Sequence, residues 1–426
     1  MQNNFNTVKE ILSCNFSSIP IDPDWNNDEN KELKIHRIHS YPAKFPAFIA
    51  TKAINYARGE IKNINKIADI FCGCGTVAFE AKQNNINFWG CDINPVATLI
   101  AKVKSKHFNE SKLTRYYHTI INAFLNLNGN EFCYELENER IRYWFDEKHW
   151  LELSKLKKAI EISVPKKSIY HLFFHCAFSN ILKSSSRWLT KSIKPQIDPD
   201  KEPSDILALF KKQFDFMVKA NNENKSFHSA KTEIITANFL EESVKHPVVD
   251  MIITSPPYVT SYEYADLHQL SSLWLDYTDD YKKLRNGSIG SLYHSYDFSI
   301  NINNLNIIGS KIVSGLNNID KSKSRAVAKY YLDMQSVSNK CYSMLGKKGI
   351  AFFVIADTEY KTIKIENAKH ICISLINSGF KEIKIIKRRI SGKILTPYRD
   401  SYGKFSSDNN SRKVYNEEFI VIARKK

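Results

Sequence analysis

A hydroxyl, two prolines and an aromatic ring follow one another at Ser255-Pro256-Pro257-Tyr258, directly after the run Val248-Val249-Asp250-Met251-Ile252-Ile253-Thr254. That run is rich in β-branched side chains and reads as a buried strand of a parallel sheet. Neither proline can donate to a ladder, and each holds the residue before it extended, so the strand must stop in a stiff turn. Open α/β sheets place their ligands at the carboxyl ends of strands. A hydroxyl, a fixed run of carbonyls and an aromatic face offered there suit a flat ring that carries an amine.

A second set of residues could hold a nucleoside. Asp69-Ile70-Phe71-Cys72-Gly73-Cys74-Gly75-Thr76 follows a short apolar strand at 67–71 and opens a helix at 76–83. Glycines at 73 and 75 let the backbone turn tightly and approach a ligand. Asp92 lies 19 residues beyond Gly73, at the tip of a second strand at 87–91, where a carboxylate can accept both ribose hydroxyls. The third glycine of the dinucleotide fingerprint is missing, since Ala78 and Phe79 stand there. S-adenosylmethionine, which has no pyrophosphate, is therefore favoured over NAD. Cys72, Cys74 and Cys91 lack a fourth ligand and the usual Cys-x2-Cys spacing; they read as small apolar packing, and no metal site is expected.

These residues need a sheet to hold them. Helical spacing over 46–57, the unit 67–105, and strands at 233–236, 250–254, 349–355, 381–386 and 418–423 make an alternating α/β chain. Helices are expected at 324–345 and 363–376. The alternation breaks between about 106 and 230, where helical spacing recurs at 141–162, 169–182 and 206–218 without a clear strand. The division expected is an irregular segment 1–35, a cofactor part 36–105, a helical insertion 106–230 and a catalytic part 231–426. The last two strands, joined by the polar stretch 401–412, are expected to pair antiparallel at the end of the sheet.

Composition limits the partners. With 61 Lys+Arg against 45 Asp+Glu the net charge is +16, which suits a polyanion or reflects a Lys- and Asn-rich background. No run reaches the roughly 18 apolar residues of a membrane helix, and the first twenty residues lack a signal-peptide pattern, so a soluble cytoplasmic chain is expected. Eight scattered cysteines fit reduced thiols. Lys166, Lys167, Lys183, Arg187, Lys191 and Lys194 form one basic stretch without an acid, with Trp188 inside it. Arg388 and Arg389 lie in a second, at 384–393, ahead of Leu395-Thr396-Pro397-Tyr398-Arg399. Each is a candidate nucleic-acid contact or a solvated face.

Ser-Pro-Pro-Tyr after an apolar strand resembles the catalytic motif of DNA methyltransferases that act on exocyclic amines. Its Ser form is more similar to the cytosine-N4 group than to the adenine-N6 group, which usually carries Asp or Asn. The segment from Asp69 through Phe71, Gly73 and Gly75 to Thr76 resembles that family's S-adenosylmethionine motif. His39-Ser40-Tyr41-Pro42-Ala43-Lys44-Phe45 resembles its amino-terminal motif, implying that Tyr41, Lys44 and Phe45 close over the methionine tail. Asn238, in a place more often held by Asp, would bond the adenine amine, with Phe239 against the ring. The resemblance implies a seven-stranded class I, Rossmann-like sheet with the insertion reading double-stranded DNA.

It further implies that Ser255 Oγ and the Pro256 carbonyl accept the amine's protons, that Pro257 stiffens the turn, and that Tyr258 stacks on a flipped base. Tyr262 and Tyr264 would help hold that base or are ordinary aromatics; Glu263, Asp266 and His268 are given no catalytic role. Within such an enzyme Lys183, Arg187, Trp188, Lys191, Lys194, Arg388 and Arg389 become the DNA contacts. Any cognate restriction endonuclease would be another chain. Adenine-N6 methylation, RNA methylation and a non-catalytic nucleic-acid-binding protein are the alternatives.

Overall fold

The computed structural model describes residues 4–26, 32–42, 44–223, 229–259, 263–291, 302–361, 363–390, 408 and 417–426, and the backbone of 398–399 and 412–413. Eight strands, β1 (Asn4–Phe5), β2 (Lys66–Asp69), β3 (Asn87–Asp92), β4 (Thr232–Thr236), β5 (Val249–Thr254), β6 (Leu345–Ile355), β7 (Glu382–Arg389) and β8 (Glu417–Arg424), form one sheet. Their order is β4-β3-β2-β5-β6-β8-β7-β1. The ladders from β4 to β6 are parallel; β8 is antiparallel to both its neighbours, and β1 to β7. The order reverses direction between β2 and β5, which makes that junction the switch point where such sheets open a crevice.

Both faces of the sheet are covered, which is why its strands read as nearly continuous apolar runs. Along β5, Ile252 faces a core with Phe353 and Val421, while Met251 and Ile253 face another with Phe352 and Ile420. The first face is covered by α12 (Ile307–Asn317), α13 (Lys321–Met344) and α14 (Asn367–Asn377), the second by α2 (Ala47–Glu60) and α3 (Thr76–Gln83). α13 begins where Asp320 caps the Lys323 amide, and buries Val327, Tyr331, Met334, Val337 and Cys341 on one stripe. That spacing is the 3.6-residue period its sequence shows.

From 110 to 223 the helices are α5 (Glu110–Asn126), α6 (Glu139–Trp144), α7 (Glu147–Ser163), α8 (Ile169–Ile181) and α9 (Ile206–Glu223). Their core of Trp144, Phe145, Phe174, Phe178 and Phe210 is continuous with Val96 and Ile100 of α4 (Pro95–Lys104). The insertion therefore packs directly on the cofactor half of the sheet.

Several expectations change. The segment 1–35 is not irregular throughout: β1 extends the sheet to eight strands through Phe5 opposite Ile383, and α1 (Val8–Ser13) follows, closed by a Thr7/Glu10 capping box. A two-residue strand is too short to leave a periodic pattern. The single helix expected at 141–162 is two, because Asp146 accepts the His149 amide and restarts the chain as α7. α5 was not anticipated. The helix expected from 363 begins at Asn367, and Ile363–Ile365 pairs with Thr358–Tyr360 as a small hairpin. β7 and β8 do pair antiparallel, but β8 inserts between β6 and β7, and β1 closes the edge.

Candidate active site

The carboxyl ends of β2 and β5 meet at the switch point. Thr254 Oγ1 donates to Asp69 Oδ1 across it (2.7 Å), and the Phe71 amide donates to the same oxygen (3.1 Å). Burial pushes the Asp69 carboxyl up to about 7 despite those two donors. Asp92, at the end of β3, accepts the Gly73 amide at Oδ2 (2.8 Å) and the Asn94 amide at Oδ1 (2.9 Å). Burial raises it to about 6, opposed by both amides. Asn94 in turn caps α4, with Pro95 at its first position.

Each oxygen of Asp92 is thus anchored once on its protein side, and each keeps acceptor capacity for a diol. Gly73 has a φ of +46°, and a Cβ there would stand 3.6 Å from the Tyr41 ring, in the space between loop and ring. Tyr41 stacks on His268 (5.0 Å, 21°). Burial holds His268 down to about 3, hence neutral, and its buried Nε2 has no hydrogen-bond partner among the described residues. Thr76 Oγ1, at the start of α3, is likewise buried without one. Anchored acid, open loop, covering ring and orphaned hydroxyl fit a nucleoside carrying an amino-acid tail.

Five expected cofactor contacts are also engaged within the protein. A Cβ on Gly75 would lie 2.6 Å from Ala101, so this glycine lets the loop pack on α4. Lys44 donates to Glu32 (2.6 Å) and to the His36 carbonyl (3.1 Å), tethering its own segment. Phe239 is buried against Trp89 rather than lining a pocket. Asn238 accepts the Leu240 amide (3.0 Å) and donates to the Gly287 carbonyl (3.2 Å), leaving one lone pair on Oδ1. Phe45 packs beside the core shared by α2 and α3.

The Ser255 turn is held from two sides. Ser255 Oγ donates to the Val354 carbonyl of β6 (3.0 Å). Tyr258 donates its hydroxyl to Glu418 (3.0 Å), and Glu418 is ion-paired with Arg388, its cross-strand partner. Arg388 also donates to the carbonyls of Trp25 (2.7 Å) and Asn26 (3.0 Å). Burial first and Glu418 second keep the Tyr258 phenol protonated. Asp266 is bound by Arg285 in a fork (2.8 and 2.9 Å), and Glu263 accepts from Ser291 (3.0 Å). Tyr264 opens α10 (Tyr264–Leu267), which α11 (Gln269–Trp274) follows, and Tyr262 lies outside the described residues.

The basic candidates divide by exposure. Trp188 is 2% exposed and stacked on Trp144 (4.9 Å, 21°), which removes it from the surface. Lys183 lies over the Trp188 ring and donates to the carbonyls of Thr190 and Ser192 (3.2 and 2.7 Å). Arg187 donates to the Tyr143 carbonyl (2.6 Å). All three close a loop of the insertion. Arg388, 2% exposed, is a strut of the Ser255 turn and no surface contact. Lys191, Lys194 and Arg389 are exposed. Lys393 and residues 395–397 lie outside the described residues, as do the side chains of Tyr398 and Arg399.

Three participants escaped sequence inspection. Val354 acts through its carbonyl, which no side chain signals, and Glu418 is an unremarkable acid at the start of an apolar strand. His268, set aside as non-catalytic, is placed by the helix α10 that follows the turn.

Comparison with known proteins agrees with this geometry. A family model described as DNA methylase matches residues 6–103, a segment with the Gly73 loop and Asp92 that ends before Ser255. The chain is 27% identical over 368 residues to the type II methyltransferase M.MvaI of Kocuria varians, covering 80% of each. It is 24% identical over 288 residues to the type II methyltransferase M.BsoBI of Geobacillus stearothermophilus, covering 60% of this chain and 55% of that one. Among solved structures, the rRNA methyltransferase aviRa from Streptomyces viridochromogenes aligns with 92% of this chain and 91% of its own at 10% identity, with a TM-score of 0.27, too low to argue from. The family model and the type II relatives, together with the strand order and the site, support a DNA methyltransferase of the group that modifies exocyclic amines at cytosine N4 or adenine N6, with S-adenosylmethionine as cofactor.

Proposed function

We propose that this chain methylates the N4 amine of a cytosine flipped out of duplex DNA, as the modification enzyme of a restriction-modification system. The observation that carries the reading is the hydrogen bond from Ser255 Oγ to the Val354 carbonyl (3.0 Å). It uses the only proton of the hydroxyl, so Ser255 meets a substrate amine as an acceptor. The Pro256 carbonyl, on a turn that proline holds stiff, is the second acceptor.

An aromatic amine is a poor nucleophile because its lone pair is delocalised into the ring. Two acceptors that hold its protons favour a pyramidal nitrogen and free that lone pair. Such help is positional and electrostatic. Asp92 would hold the ribose hydroxyls, Tyr41 and the Gly73 loop the methionine part, and the remaining lone pair of Asn238 the adenine amine. When bound, S-adenosylmethionine supplies an activated methyl group. Tyr258, tied to Glu418, would present its ring to the extruded base. The type II designation of M.MvaI and M.BsoBI supports the restriction setting.

Methylating DNA with labelled cofactor and digesting it to nucleosides tests the assignment. Label in N4-methylcytosine is expected. Label in N6-methyladenine would keep the exocyclic-amine chemistry and reject the base. Duplex RNA offered in parallel should remain unlabelled.

A further inference from the structure

Away from the strand ends, α7 and α8 bring two histidines and a carboxylate together. His171 and His175 are one turn apart on the same face of α8, with ring centroids 3.9 Å apart. Glu161, near the end of α7, places Oε1 2.9 Å from His175 Nε2 and 3.4 Å from His171 Nε2. All three ligand atoms lie within 4.8 Å of one another. Around a tetrahedral ion with bonds of about 2.0–2.2 Å, neighbouring ligand atoms stand roughly 3.3 Å apart.

A hydrogen-bonded cluster accounts for only part of this arrangement. His175 is bonded to Glu161 (2.9 Å), but His171 Nε2 is buried and, although 3.4 Å from the same carboxylate, makes no hydrogen bond among the described residues. A cation between the three would satisfy it. We propose that Glu161, His171 and His175 bind one divalent transition-metal ion of the zinc type, with water completing its coordination, and that the ion staples α7 to α8.

Lys166, exposed and 3.6 Å from Glu161 Oε2, is free to swing away. Lys157 also faces His175 but is paired with Asp276 (2.6 Å). Leu172 follows His171 where helix-borne hydrolytic zinc motifs carry a glutamate base, so the ion's role is structural. One turn beyond His175, Ser179 bonds His39 Nε2 (2.8 Å), which links the staple to the segment that carries Tyr41.

The test uses the full chain, stripped with a chelator and titrated with Co2+ and then Zn2+. One equivalent of Co2+ with a visible d–d band, displaced by Zn2+, is expected, together with a higher unfolding midpoint in Zn2+. Glu161→Gln and the double variant His171→Asn/His175→Asn should lose the band while circular dichroism shows them folded, and Lys166→Ala should keep it. Wild-type protein that takes up no stoichiometric metal at micromolar concentration overturns the proposal. So does a thiolate charge-transfer band, which would place the ion on cysteine, or a full equivalent retained by Glu161→Gln, should the double variant fail to fold. None of these readouts depends on methyl transfer.

Discussion

Ser255 and Asp92 are opposite uses of one device, a polar group whose protein-side bonds decide what it offers a ligand. Ser255 gives its proton to Val354 and is left an acceptor; Asp92 takes one amide on each oxygen and keeps its outer lone pairs. Asp92→Ala should weaken S-adenosylmethionine binding about tenfold to a hundredfold, since a hydrogen bond to a charged group is worth about 1.5–3 kcal/mol. Calorimetric titration of a folded variant checks this, and unchanged affinity refutes the ribose contact. Because burial raises Asp92 to about 6, cofactor affinity should also fall as pH drops through that value, when the carboxylate protonates and loses acceptor strength. Ser255→Ala should lower kcat by about 10²–10³-fold with cofactor affinity intact, the scale seen when one preorganised polar partner is removed from a reacting group. A Ser255→Ala enzyme with normal turnover would remove the hydroxyl from the mechanism.

Between elements, the sharpest dependence runs through the β7–β8 pair. Arg388 is 2% exposed and holds Glu418, which holds Tyr258 on the Ser255 turn. Arg388→Met should cost about 3–5 kcal/mol in denaturant unfolding, because it strands a buried carboxylate; a loss within the error of the measurement would show that Glu418 is solvated. In the insertion, the loop closed by Trp188 and Lys183 leaves Lys191 and Lys194 outside it. Trp188→Ala should therefore act on stability, by about 3–5 kcal/mol. Lys191→Ala and Lys194→Ala should leave stability alone and each lower the salt slope of duplex binding by about one. DNA affinity and salt slope unaltered in the double lysine variant would move the contact elsewhere. Sequence inspection placed basic residues and a tryptophan together correctly, but which of them face water depends on Trp144, 44 residues earlier in the chain.

At the scale of the whole molecule, three carboxyls among the described residues are held above their ordinary range by burial: Asp69 to about 7, and Asp92 and Asp357 to about 6. The folded chain binds these protons more tightly than the unfolded chain, whose carboxyls titrate near 3.8. Their contribution is therefore fully present below that value and is lost as pH rises through 6 to 7. Each group gives a slope of at most about 1.4 kcal/mol per pH unit. Asp69→Asn should flatten the upper part of the profile, making the variant gain on the wild type between pH 6 and 8 in denaturant titrations without cofactor. Parallel profiles for the two proteins would show that Asp69 is not buried as a charge.

The candidate site was legible because its motifs are local. The Gly73 loop, Asp92 and the Ser255 turn each announce themselves within a few residues of a strand, and period-two and period-3.6 patterns reveal the strands and helices that carry them. Most of the sheet follows, because a strand buried on both faces must be apolar throughout. Tertiary structure alone decided the rest. It showed that Gly75 serves helix packing, that Phe239, Trp188 and Arg388 point inward, that two N-terminal residues complete the sheet, and that Val354 and Glu418 position the Ser255 turn. These facts concern pairs of residues from about 26 to 380 positions apart, and the burial of a side chain or the partner of a hydrogen bond is set by what the fold lays against it, which spacing along one chain does not encode.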